Sequence, residues 1–160
     1  MNKLSAPFHE TKVFKVMAPG TADVLVDEDG VEFTVELYAP QSSRMQAYDE
    51  AAAQRQLLKN ARTNGAANTD LKALRKSGAL RLAHAIKSWH PVSPTGARIT
   101  EEDIPFNEQA IAEALVDKGI SWWLTEQLVR FFDQNAFVMT KEEIAENPKS
   151  KSSKKTEADS

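Results

Sequence analysis

Along the first 40 residues, apolar and polar side chains change places with a period of two. Val31, Phe33, Val35 and Leu37 are apolar, while Glu32, Thr34 and Glu36 between them are polar. That alternation sets one face of a strand on a core and leaves the other in water. Val13–Met17 and Val24-Leu25-Val26 are two further apolar runs. The first is followed by Ala18-Pro19-Gly20-Thr21 and the second by Asp27-Glu28-Asp29-Gly30, both turn signals. A small antiparallel sheet or hairpin is therefore predicted over residues 12–38. Such a sheet is not stable alone, so its apolar face has to pack on helices.

After Pro40 the period lengthens. Ser43-x-x-Gln46 reads as a capping box opening a helix over 43–62, a stretch rich in Ala, Leu, Gln, Arg and Lys. Asn64-Gly65 marks a loop, and Thr69 or Asp70 caps a second helix. Its apolar positions Leu71, Leu74, Gly78, Leu82, Ala85 and Trp89 step by three or four, one stripe down one face. Gly78 in mid-helix costs about 1 kcal/mol against Ala, which points to a close neighbour there. His90-Pro91 ends the helix. Asn107 caps a short helix to about Val116, with Ala110, Ile111, Ala114 and Leu115 inward and Lys118-Gly119 as its stop. Ser121 opens a strongly amphipathic helix to about Asn135, and Thr140-x-x-Glu143 caps a last short turn. The expected fold is α+β: a single domain over 1–146, β-rich at 12–38 and helical at 43–146. The polar, aromatic-free residues 147–160 are expected to be disordered.

Composition adds three constraints. The 160-residue chain has no cysteine, which removes disulfides, thiolate catalysis and cysteine zinc sites and suits a reducing cytosol. No apolar run reaches the roughly 18–20 residues of a membrane span, and the first residues lack the apolar stretch of a secretory signal. The protein is expected to stay where it is made. The net charge of −3 hides segregation: residues 41–98 carry 10 basic and 3 acidic side chains, residues 99–146 carry 3 and 11. Blocks that nearly cancel are expected to face each other within the fold or between copies.

Candidate chemistry is sparse. Phosphate-loop, dinucleotide, nucleophile-elbow and HExxH patterns are missing. His9, His84 and His90 have no acid at ligand spacing, and neither acidic cluster, Asp27-Glu28-Asp29 or Glu101-Glu102-Asp103, follows a calcium-loop spacing. No enzyme and no cofactor is expected. The aromatics say more: Trp122, Trp123, Phe131, Phe132 and Phe137 fall within 16 residues. On a helix Ile120, Leu124, Leu128 and Phe131 share one face, and Trp122, Val129 and Phe132 another. The apolar arc exceeds what a surface helix needs, so Trp122, Trp123, Phe131 and Phe132 are the candidate partner-binding residues. Trp122 and Trp123 point about 100° apart, so one is expected in the core and the other on a partner surface. Glu126 and Asp133 against Arg130 lean this helix toward a basic partner.

Two local patterns carry a family resemblance across residues 31–139. One is Phe33-Thr34-Val35-Glu36-Leu37-Tyr38-Ala39-Pro40, an F-x-V-x-L-x-x-P rhythm running into an Ala- and Arg-rich helix. The other is Trp89-His90, then Pro105-Phe106-Asn107-Glu108-Gln109, Trp122-Trp123-Leu124 and Asn135-Ala136-Phe137. In order and rhythm the chain resembles the tail assembly chaperones of long-tailed bacteriophages; it departs in having Ser88, where that pattern has Gly before the first Trp. The resemblance implies a non-catalytic factor of the host cytoplasm that coats the tape-measure protein before the tail tube polymerises. It further implies contact with the tail tube protein and with a frameshift-extended form of itself. The Lys-rich end, Lys149 to Lys155, is compatible with slippery A-rich codons. Self-association into a homo-oligomer also fits the charge blocks, whereas nucleic acid and membrane are not expected partners. Two other readings compete. The basic block 44–87, including Arg44, Arg55, Lys59, Arg62, Lys72, Arg75, Lys76, Arg81 and Lys87, suits a small nucleic-acid-binding factor. A structural head–tail or tail-terminator component would stay in the finished particle.

Overall fold

The computed structural model describes residues 4–62 and 71–146. Its elements run β1 Thr11–Lys15, β2 Thr34–Tyr38, α1 Ser43–Arg62, α2 Leu71–Ala85, β3 Ile86–Trp89, α3 Glu108–Val116, α4 Lys118–Phe131, α5 Gln134–Phe137 and α6 Lys141–Glu146. The fold is α+β and mainly helical, with one three-stranded antiparallel sheet ordered β1-β2-β3. The Asn64-Gly65 loop, the Thr69 or Asp70 cap, the side chains of Ile120 and Ser121, and residues 147–160 lie outside the described residues.

The central strand is the one that alternation picks out. Phe33, Val35 and Leu37 point inward and are buried, and their polar neighbours are not. Thr11 pairs with Tyr38 and Lys15 with Thr34 across β1 and β2. Between these strands the chain makes an excursion held by single bridges, Met17 with Val24 and Val26 with Glu32, so Val24–Val26 is not the sheet strand that its apolar run predicts. Both predicted turns form. Gly20 (φ 73°) and Gly30 (φ 79°) occupy left-handed dihedrals that glycine adopts without steric cost. Asp27 closes the second turn by accepting from the backbone N–H of Asp29 and Val31, both at 2.9 Å.

The largest departure is β3. A helix running to Trp89 was expected, and the helical span 43–146 is interrupted at Ile86–Trp89 by a strand. Leu82, Ala85 and Trp89 fit a helical stripe, but β2 has a second edge whose backbone groups need partners. β3 supplies them, pairing Val35 with Trp89 and Leu37 with Ile86 across a register shift. Trp89 thereby reaches Phe33 edge-on, 6.2 Å between ring centres, and His90 donates its N–H to Thr34 at 2.9 Å.

The helix ends follow local chemistry, with two corrections. Ser42, not Ser43, caps α1: its hydroxyl accepts from Met45 N–H at 3.3 Å while its carbonyl takes Gln46 N–H. Asp117 in extended conformation ends α3, and Gly119 falls inside α4 rather than stopping the helix before it. Asn107 caps α3 as predicted, accepting from Ala110 N–H at 2.8 Å. Thr140 and Glu143 make the reciprocal pair of a capping box.

α4 closes the core against the sheet. Phe131 stacks on Phe14 at 4.8 Å, and Trp123 meets Phe33 edge-on at 6.4 Å. Gln127, buried on the same side, grips the backbone of Met17 twice: Met17 N–H donates to Oε1 at 2.8 Å and Nε2 donates to the Met17 carbonyl at 2.9 Å. These are the bonds a neighbouring strand would make, supplied here by a helix side chain. Removing that side chain strands a part-buried donor and acceptor. Gln127→Ala is therefore expected to cost about 2–4 kcal/mol in urea unfolding, and Gln127→Leu, which restores the bulk, is expected to cost nearly as much.

Candidate functional site

Successive helix positions point about 100° apart, and the buried side of α4 is already committed to the sheet. The four candidate aromatics consequently separate. Trp123 is 7% exposed and Phe131 packs on Phe14, so both serve the core. Trp122, 60% exposed, and the half-buried Phe132 lie on the other side. Of the tryptophan pair, Trp123 is the buried member and Trp122 the exposed one.

Trp122 and Phe132 do not stand on an isolated helix face. They form one wall of an open groove of about 890 Å³, with Val129 of α4, Gly78, Ala79 and Leu82 of α2, and Leu115 and Val116 at the end of α3. Ala79, Leu82 and Leu115 are buried and make its floor. α2 enters because its stripe outruns the core. Leu82 and Ala85 are covered, whereas Leu71 (69% exposed) and Leu74 (60%) at the other end are open. Gly78 sits where the stripe crosses from covered to open. The close neighbour expected of it is missing: a Cβ built there meets nothing within 4 Å. The glycine faces the groove instead, leaving a notch in the α2 wall.

Charge around the groove is set by three arginines and one acid, Arg75, Arg81, Arg130 and Glu126. Arg81 forks onto Asp49 of α1, with Nε and Nη2 at 2.8 and 2.9 Å from its two carboxylate oxygens. This bidentate pair holds the Asp49 carboxyl below the usual carboxylate range and raises the Arg81 guanidinium. The guanidinium also lies over the Phe132 ring, 4.8 Å from its centre, which fixes that ring in the groove wall. The charge of α4 alone does not describe the groove, because α2 brings Arg75 and Arg81 to the same lining.

The three histidines are engaged in structure. His84 Nδ1 lies 2.6 Å from Glu108, His90 Nε2 lies 2.8 Å from Asp27, and His9 bonds Glu143. The His90 contact and the turn N–H groups hold Asp27 below its ordinary value. These clasps join the N-terminal segment to α6, α2 to α3, and the hairpin turn to the residue after β3. No cluster of three or more metal-ligating side chains occurs among the described residues, and no helix among them is long and apolar enough to cross a membrane.

Comparison with known proteins returns no matching family model, no matching curated protein and no matching solved structure. The functional reading therefore rests on the groove and on the residue patterns already described.

What the sequence reading missed is α2's share of the site, together with the Asp49–Arg81 pair and Gln127. The signal for α2 was its own stripe, which is longer than the helices of a small core can cover. Because Gly78 is a helix residue with open space at Cβ, Gly78→Ala is expected to raise stability by about 1 kcal/mol, seen as a higher thermal midpoint. A fall would restore the close-packing explanation.

Proposed function

We propose that the protein is a non-catalytic binding factor that holds an apolar helical segment of another protein in the groove between α2 and α4. One observation carries this reading: exposed Trp122 and Val129 on one wall stand across an open groove from Gly78, Ala79 and Leu82 of α2, an apolar trough that nothing covers among the described residues. Contiguous exposed apolar surface flanked by charge is how soluble proteins present binding sites, and a groove between helices is the usual seat of an amphipathic helix. Trp and Arg, both present here, carry a disproportionate share of interface energy.

The resemblance to tail assembly chaperones gives the reading its specific form. In that form the client is the tape-measure protein, captured in the host cytoplasm before the tail tube assembles, with the tube protein and longer copies of the chain as further partners. An extended helical protein exposes repeated apolar faces before assembly, and a shallow groove that grips one such face shields it without any chemical step. The competing nucleic-acid reading has support in the basic side chains Arg55, Arg62 and Lys76, which lie exposed on α1 and α2. They share those helices with exposed Leu57, Leu58, Leu71 and Leu74, a mixture better suited to protein than to phosphate.

The adjacent tryptophans test the proposal within one helix. Trp123→Ala is expected to cost about 3–5 kcal/mol and to unfold much of the protein. Trp122→Ala is expected to leave the thermal midpoint nearly unchanged while weakening capture of a tape-measure segment by about 2 kcal/mol or more. Thermal melts beside quantitative pull-downs separate the two. Full capture by a folded Trp122→Ala protein would remove the groove from the function.

A further inference from the structure

The apolar floor says that the groove accepts a helix; its rim says which kind. Arg75 stands on the α2 wall and Arg130 on the α4 wall, and neither has an ion pair among the described residues. Arg81 is already matched by Asp49, and Glu126 is the one acid lining the groove. The lining is thus net positive: Arg75 stands without an acid on the α2 wall, while Arg130 shares the α4 wall with Glu126. Along α4 the lining runs from Trp122 to Phe132, a rise of about 15 Å that suits roughly three turns of a docked helix. Gly78 lines the groove one turn from Arg75, and a Cβ built there meets nothing within 4 Å, which leaves room against the α2 backbone.

We propose that the groove takes an acidic amphipathic helix of a partner protein, seated with a bulky apolar residue against Gly78 and its carboxylates toward Arg75 and Arg130. The proposal rests on the docking reading above and specifies its ligand. The chain's own segments fit poorly. Residues 147–160 carry four lysines against two acids, the wrong sign for this rim. α3 has its apolar side, Ile111, Ala112 and Leu115, buried in the core, and α6 is acidic but only six residues long. A different protein, with acids flanking an i, i+3, i+4, i+7 apolar stripe, satisfies floor, notch and rim together.

The test uses the full chain and two labelled peptides of about 18 residues, long enough to hold helix. Both carry the same Leu stripe, one with Glu and the other with Lys at the flanking positions. Fluorescence anisotropy at about 50 mM salt, where exposed charges are weakly screened, is expected to show the Glu peptide bound at least about tenfold tighter. The double variant Arg75→Glu/Arg130→Glu is expected to reverse that order. Gly78→Leu, with an unchanged helical spectrum, is expected to weaken the Glu peptide by about tenfold or more. Equal affinities, or a preference for the Lys peptide on the wild-type protein, would overturn the acidic-helix assignment and leave the docking groove standing. Binding of neither peptide would overturn both. Displacement of the Glu peptide by duplex DNA at similar concentration would overturn the assignment in favour of a phosphate ligand.

Discussion

The seat of the sheet on α4 decides the rest of the molecule. A three-stranded sheet has one apolar face and too little structure of its own to survive with that face wet. Phe14, Phe33 and the backbone of Met17 are what it offers, and Phe131, Trp123 and Gln127 are what α4 returns. Those three residues fix α4 in rotation about its axis. Once they face inward, helical geometry turns Trp122 and Val129 outward, with no freedom to hide them. The exposure of Trp122 and Val129, beside the charged Glu126 and Arg130, is therefore a consequence of how the core closes.

α2 completes this arrangement from the other side. Its lower half packs on α3 and the core through Ala79, Leu82, Ala83 and Ala85, while its upper half rises beyond them with Leu71 and Leu74 exposed. The bidentate Arg81–Asp49 pair ties α2 to α1, and the same guanidinium steadies Phe132. A half-exposed ion pair of this kind adds little to global stability. Its effect is positional: it holds the guanidinium that lies over the Phe132 ring and neutralises one of the three arginines lining the groove.

Much of this was legible in the residues where the cause is local. The alternation around Phe33, the Asp-Gly and Pro-Gly turns, and the caps at Asn107 and Thr140 each depend on a few consecutive side chains. The division of Trp122 from Trp123 follows from helix geometry alone, although which one faces inward depends on the sheet and could not be read. β3 was illegible because Ile86–Trp89 fits helix and strand spacing equally well, and the open edge of β2 decides. Ser42 and Ser43 are adjacent residues of equal capping ability, so a one-residue error there has no local remedy. Gly78 misled for a similar reason: a glycine against a neighbouring backbone and a glycine facing an open trough look the same in sequence. The sign of the rim was lost because Arg75 and Arg130, 55 positions apart, meet only in the fold.

The central claim is that one side of this protein, and not another, receives its partner. Position 122 lies in the groove and position 13 on the outer strand β1, with nearly equal exposures of 60% and 57%. A photo-crosslinking side chain placed at each in turn, in cells that also make the proposed client, a tape-measure protein, compares the two surfaces directly. Covalent adducts are expected from position 122 and not from position 13, and equal yields from both, or adducts from position 13 alone, would contradict the account.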